Sequence, residues 1–77
     1  MSLDEAIQQM ISIIRNSCGA AEVKSVKMSD EEARLSVYAP ASEMERIKTA
    51  TFQPAINFLN SDGLDIQVFV YYTSTPH

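Results

Sequence analysis

The chain has 77 residues, 45% of them hydrophobic and 21% charged, and ten acidic against six basic residues give a formal net charge of −4. This profile is typical of one small globular domain spanning 1–77, and two domains do not fit. The negative charge disfavours nucleic acid as a partner. No apolar run approaches the roughly 20 residues of a membrane helix, so no membrane segment is expected.

Two features indicate the cytoplasm. The amino-terminal residues MSLDEAIQQ are acidic where a secretory signal is basic. The single cysteine, Cys18, cannot form an internal disulfide, which suits a reducing compartment. We therefore expect a cytoplasmic protein.

An amphipathic helix is predicted from Ser2 to Asn16. Ser2 and Glu5 have the spacing of a capping box, in which each side chain bonds a backbone N–H at the start of the helix. The apolar residues recur at intervals of three and four and form one stripe: Leu3, Ala6, Ile7, Met10, Ile11 and Ile14.

Two strands, joined by the polar turn 29–32, are predicted next. Residues 22–28 alternate imperfectly, because Val23 is out of phase with Val26, and a bulge is predicted there. Residues 33–39 alternate cleanly between apolar and polar side chains, which indicates a half-buried strand. Pro40 ends it, since proline cannot donate to a sheet ladder.

A second helix is predicted to begin at Ser42, which forms a second capping-box pattern with Glu45. Pro54 cannot donate to the carbonyl of Ala50, so we expect the helix to be kinked near Pro54 or divided there. The apolar stripe is broad enough to indicate packing on more than one side: Met44, Ile47, Thr51, Phe52, Ala55, Ile56, Phe58 and Leu59.

A third strand, 64–72, follows the stop signal at 60–63. Its even-numbered residues are apolar or aromatic and predict the buried face, and its odd-numbered residues from Asp65 to Tyr71 predict the other face. The last residues, 73–77, are expected to form a disordered tail.

The order α-β-β-α-β predicts an α+β fold, a two-layer sandwich of a three-stranded mixed sheet with two helices on one face. The strand order within the sheet is not fixed by this reasoning.

The sheet face left open by the helices is the candidate site. Alternation places three aromatic residues there, Tyr38, Phe69 and Tyr71, with Arg34 and Gln67 between them. We interpret these five residues as a surface that binds a protein partner or a second copy of the chain. Two alternatives remain open. Aromatic residues also pair across strands for purely structural reasons. They also stack on nucleic-acid bases, which here would require cations, Arg34, Lys24 and Lys27, beside the rings.

No catalytic signature is present. Cys18 has no histidine placed near it, and His77 is the last residue, so neither is a convincing catalytic group. The acidic run 30–32 lacks the glycine and the alternating oxygen ligands of a calcium loop, and the two glycines form no phosphate-binding motif. We expect no enzyme activity, no cofactor, no metal and no small-molecule substrate.

The run ARLSVYAPASEMERIKTATFQPAINFL, followed by GLDIQVFV, resembles the amino-terminal domain of the replication initiator DnaA family. The resemblance covers roughly the last half of the chain and includes a strand that ends in the pattern of Leu35, Val37, Tyr38 and Pro40. The second short helix and the tryptophans of that family are missing here. The resemblance implies a KH-like α+β module.

The element order also resembles the carboxyl-terminal scaffold domain of the NifU family, in which a Cys-x-x-Cys pair binds an iron–sulfur cluster. Pro40-Ala41-Ser42-Glu43 stands at the corresponding position, so the resemblance extends to the topology and not to cluster binding. The Gly-x-x-Gly loop of true KH domains is missing as well. The predicted function is a non-enzymatic interaction module, with a KH-like nucleic-acid-binding module as the alternative.

Overall fold

The structure, a computed structural model, describes residues 1–72, so the predicted tail at 73–77 lies outside the described residues. The observed elements are α1 (Leu3–Ser17), β1 (Glu22–Lys27), β2 (Glu32–Ala39), α2 (Met44–Asp62) and β3 (Asp65–Tyr72). Two helices pack on one face of a three-stranded mixed sheet in the order α-β-β-α-β, which confirms the predicted fold class.

Helix α1 begins at the predicted capping box. The backbone N–H of Glu5 donates to the Ser2 hydroxyl at 3.2 Å, and the Ser2 N–H donates to the Glu5 carboxylate at 2.9 Å. Two backbone donors that a helix start leaves free are thereby satisfied.

The sheet has the strand order β1-β2-β3, with β1 antiparallel to β2 and β3 parallel to β2. Strand β2 therefore lies in the centre, and β1 and β3 are the two edges. The central position explains why the helix-facing residues of β2 are all buried: Ala33, Leu35, Val37 and Ala39.

Strand β1 contains no bulge, so that prediction is wrong. Its residues pair with β2 one for one, with Val23 opposite Val37 and Val26 opposite Arg34. The two valines of β1 therefore face opposite sides of the sheet, because the phase of a strand is fixed by its pairing. Lys27 lies on the helix side and forms an ion pair with Asp4 of α1 at 2.9 Å.

Helix α2 begins two residues later than predicted, and the second capping box does not form. A 3₁₀ turn at Ala41–Glu43 follows Pro40, the N–H of Glu43 donates to the Pro40 carbonyl, and no side chain caps α2. The helix then runs through Pro54 without interruption, so the proline does not divide it. The kink near Pro54 stays a prediction.

The core lies between the helix layer and the central strand. Its largest fully buried side chains come from α1, β2 and α2: Met10, Ile14, Leu35, Val37 and Ile47. Helix α2 ends at Asp62 and is capped by Gly63, which has a left-handed conformation with φ +68° and turns the chain directly into β3. This short connection sets α2 alongside β3 and leaves the opposite face of the sheet uncovered by either helix.

Candidate functional site

The surface of interest, here called the open sheet face, is the side of the sheet that points away from the helices. Strand pairing places one set of alternate residues from all three strands on it. They are Glu22, Lys24 and Val26 of β1, Glu32, Arg34, Ser36 and Tyr38 of β2, and Asp65, Gln67, Phe69 and Tyr71 of β3.

Three aromatic residues form the aromatic patch of this face, defined as Tyr38, Phe69 and Tyr71. Tyr38 and Tyr71 are directly opposite in the parallel β2–β3 pair, and their rings stack with centroids 5.4 Å apart and planes 23° from parallel. Phe69 lies two residues before Tyr71 on the same side of β3. Phe69 is 40% and Tyr71 is 47% exposed, so the patch presents ring surface to solvent.

Two cations lie over the rings of the patch. The Nζ of Lys24 is 5.6 Å from the centroid of the Tyr38 ring, and the Cζ of Arg34 is 5.2 Å from the centroid of the Phe69 ring. At exposed sites each such contact is worth about 0.5–1 kcal/mol. Together with the tyrosine stack they hold the three rings in one arrangement.

Gln67 has a different role from the other predicted residues. Its side-chain amide donates to the carboxylates of Glu32 at 2.9 Å and of Asp65 at 3.3 Å. The bonds hold these two carboxylates together at the end of the face where β2 and β3 begin. Four of the five predicted site residues are therefore aromatic or cationic. The fifth, Gln67, holds two carboxylates in place at one end of the face.

The charges of the open sheet face nearly balance. Three carboxylates (Glu22, Glu32 and Asp65) accompany two cations, Lys24 and Arg34. Lys27, which a nucleic-acid surface would also need, points to the helix side and pairs with Asp4. The face therefore offers no continuous positive surface to a phosphate backbone.

Sequence reasoning did not place Val26 on this face. Val26 is 56% exposed and lies opposite Arg34 in the β1–β2 pair. Because a bulge was expected in β1, the sequence pattern did not determine which side of the strand Val26 faces. Regular alternation from Glu22 would have found it, because Glu22, Lys24 and Val26 share one side of an unbulged strand.

A second apolar surface, here called the β3 groove, lies between α2 and the outer side of β3. It has a volume of about 400 Å³ and is lined on the helix by Phe52, Ile56 and Leu59 and on the strand by Val68 and Val70. Phe52 is 67% and Leu59 is 51% exposed. The broad stripe of α2 predicted packing on a second side, and no other part of residues 1–72 covers that side.

The other candidate groups have local structural roles. Cys18 is buried at the end of α1, where its N–H donates to the carbonyl of Ile14. Within the described residues, no group of three or more His, Cys, Asp and Glu side chains is arranged to hold a metal ion. His77 lies outside the described range. In the same range, no helix combines the length and the apolar character needed to cross a bilayer.

Comparison with known proteins gives no significant match to a family model, to a curated protein or to a solved structure. The resemblances to the DnaA and NifU families therefore stay predictions, and the surface itself carries the functional argument.

Proposed function

We propose that this chain is a non-enzymatic interaction module that acts in the cytoplasm and binds a protein partner through the open sheet face. The observation that carries the proposal is the aromatic patch. Three rings from two strands lie together, partly exposed, on a sheet face that neither helix covers.

The chemistry of the patch suits a protein partner. Tyr, Phe and Arg are enriched at protein interfaces, and buried aromatic anchors supply much of the binding energy there. The tyrosine stack and the cations over the rings restrict the side chains before binding, which lowers the entropy lost on association. The fitting partner presents apolar side chains to the rings and charges of both signs around them.

A KH-like nucleic-acid-binding module is the second candidate, and one observation favours it. Lys24 and Arg34 contact the rings of Tyr38 and Phe69, so cations that could bind a phosphate backbone accompany the aromatic side chains. The carboxylates of Glu22, Glu32 and Asp65 oppose it on the same face, and the chain as a whole carries a charge of −4. The charge balance supports the protein partner.

The substitution Tyr71→Ser tests the proposal, with Tyr72→Ser as a matched control. Tyr71 belongs to the open sheet face, whereas Tyr72, its exposed neighbour on the same strand, belongs to the other side. Tagged wild type and both variants are used for affinity purification from native cells, and their circular dichroism is compared. A stoichiometric protein should be recovered with wild type and Tyr72→Ser and lost with Tyr71→Ser, while all three remain folded.

Nuclease treatment and a direct titration separate the two candidates. The recovered protein should survive nuclease, and fluorescence anisotropy with a labelled single-stranded oligonucleotide should show no binding at low salt. Binding to the oligonucleotide that falls steeply with added salt and with Tyr71→Ser would replace the protein partner by nucleic acid. Unfolding of Tyr71→Ser, with Tyr72→Ser intact, would show that the ring is structural and would contradict the assigned role.

A further inference from the structure

Two of the three tyrosines of the chain lie against each other on the open sheet face. Tyr38 of β2 and Tyr71 of β3 are directly opposite in the parallel pair, and their rings stack with centroids 5.4 Å apart. Tyr72 pairs with Ala39 and therefore belongs to the other side of the sheet. The fold thus places two phenol rings together and keeps the third away from them.

Neighbouring phenol rings have a chemistry that other aromatic pairs lack. A one-electron oxidant removes an electron and the hydroxyl proton from a phenol and leaves a neutral radical, whose unpaired electron is shared with the ring carbons next to the hydroxyl-bearing carbon. Two such radicals couple through these carbons. Because the rings of Tyr38 and Tyr71 are already in contact, their coupling needs no diffusional encounter and has a high effective concentration.

We propose that Tyr38 and Tyr71 form an oxidative cross-linking site, at which a haem peroxidase with hydrogen peroxide joins the two rings covalently. Each phenol gives up one electron and its hydroxyl proton, and the new bond forms between a Cε carbon of one ring and a Cε carbon of the other. The hydrogen on each bonded carbon then moves as a proton to the phenol oxygen of its own ring, which restores both aromatic systems. One hydrogen peroxide accepts the two electrons and two protons and becomes two water molecules.

The surroundings of the pair allow this reaction. Tyr71 is 47% exposed, so an oxidant can take its electron at the surface, and the stacked ring of the partly buried Tyr38 is in contact with it. The Nζ of Lys24, 5.6 Å from the centroid of the Tyr38 ring, does not oppose the step, because the tyrosyl radical is neutral. Neighbouring strands lie about 4.8 Å apart, a distance that two rings joined through Cε carbons can span after rotation of their side chains.

The cross-link has a structural consequence for the sheet. It ties the edge strand β3 to the central strand β2 and closes residues 38–71, including all of α2, into a loop. Closing a loop restricts the unfolded chain, as a disulfide does. The chain has one cysteine and no internal disulfide, whereas a carbon–carbon bond is available to it and is not reversed by thiols.

Oxidation of the purified full chain with a haem peroxidase and limiting hydrogen peroxide, over a range of protein concentrations, tests the inference. The monomer should lose two hydrogen atoms in its intact mass and gain the blue fluorescence of dityrosine. Fragmentation of the tryptic digest should join the peptide of Tyr38 to Tyr71. The yield per chain should not change with dilution, because the link is intramolecular, and the midpoint temperature of the cross-linked monomer should be higher than that of the untreated chain.

Two conservative variants and a denatured sample are the controls. Tyr71→Phe keeps the ring and removes the phenol, so it should give no cross-linked monomer. Tyr72→Phe should react as wild type does, although Tyr72, at 63%, is more exposed than Tyr71. Circular dichroism should be the same for all three proteins. In urea, where the stack is lost, the yield of the Tyr38–Tyr71 link should fall.

A wild-type chain that gives no cross-linked monomer, or a link that remains in Tyr71→Phe, would overturn the inference. A reaction lost with Tyr72→Phe, or products that are all cross-linked dimers, would also overturn it, because exposure and not the stack would then decide which tyrosine reacts. The inference does not depend on the proposed function, since the cross-link is measured on the purified chain with no partner present. Failure of the cross-link and failure of partner binding are therefore separate results.

Discussion

Ser2 and Glu5 exchange two hydrogen bonds at the start of α1, and this contact is fully local. Local contacts of this kind are readable from sequence because they depend on spacing within one turn. The same pattern at Ser42 and Glu45 does not form a cap, because the residues just before the helix take another local structure: Pro40 is followed by a 3₁₀ turn that includes Ser42, and α2 begins after it, at Met44. A capping pattern predicts a helix start only where the preceding residues leave the helix free to begin there.

The capping box makes a quantitative prediction. Ser2→Ala removes the side-chain acceptor of the Glu5 N–H and should lower the free energy of unfolding by about 1 kcal/mol. Ser12→Ala is the control, because Ser12 is exposed in the middle of α1, where alanine is the better helix former, and it should not destabilise. Urea denaturation of the three proteins measures the difference. Equal stability of Ser2→Ala and wild type would show that the cap contributes nothing.

The capping box also makes the stability depend on pH. The backbone N–H of Ser2, and secondarily its side chain, hold the pKa of the Glu5 carboxyl below its usual value of 4.5. A pKa lowered by folding means that the charged form stabilises the native state. This contribution is present above pH 4.5 and is lost as the pH falls through the lowered pKa. In an NMR titration the Glu5 pKa should move part of the way back to 4.5 in Ser2→Ala.

The two glycines, Gly63 and Gly19, differ in whether the backbone conformation at their position favours glycine. Gly63 ends α2 with φ +68°, a conformation that costs a residue with a side chain roughly 1–2 kcal/mol, whereas Gly19 has no such φ. Neither glycine has an atom within 4 Å of the place where a Cβ would stand, so steric contact does not distinguish them. The backbone conformation alone does.

Gly63→Ala should therefore lower the free energy of unfolding by about 1 kcal/mol. Gly19→Ala should leave it unchanged or raise it by up to about 1 kcal/mol, because alanine restricts the unfolded chain. Thermal and urea denaturation of the pair measure the two effects under identical conditions. A destabilisation of the same size at both positions would contradict the explanation from φ.

The elements themselves were predictable where their pattern was periodic. The stripe of α1 and the alternation of β2 and β3 give the observed helix and strands within one or two residues. The phase of β1 was not predictable, because Val23 and Val26 are both apolar and the pairing with β2 decides which of them is buried. The exposure of Phe52 and Leu59 was not predicted, because the broad apolar stripe of α2 indicated packing on more than one side, whereas the described residues cover only the side with Ile47, Thr51 and Phe58.

At the scale of the whole molecule, the candidate site depends on strand order, which the sequence left open. Tyr38 and Tyr71 stack because β2 and β3 are neighbours in parallel register. Lys24 contacts the Tyr38 ring because β1 lies on the other side of β2. Another order would have separated these residues. The five predicted residues share a face by alternation, but their division into an aromatic cluster and an acidic end is a property of the assembled sheet.

The mixed sheet has a consequence for the order of events in folding. Strands β1 and β2 are joined by a short turn in which Met28 and Ser29 both donate to the carbonyl of Glu32, so this hairpin closes a small loop. Strand β3 reaches its parallel position beside β2 only after the whole of α2 has crossed the sheet. Closing the longer loop costs more chain entropy, and parallel pairing is slow for this reason. We therefore expect the hairpin to form early and β3 to dock last. The aromatic patch and the β3 edge of the sheet then form together in the final step of folding.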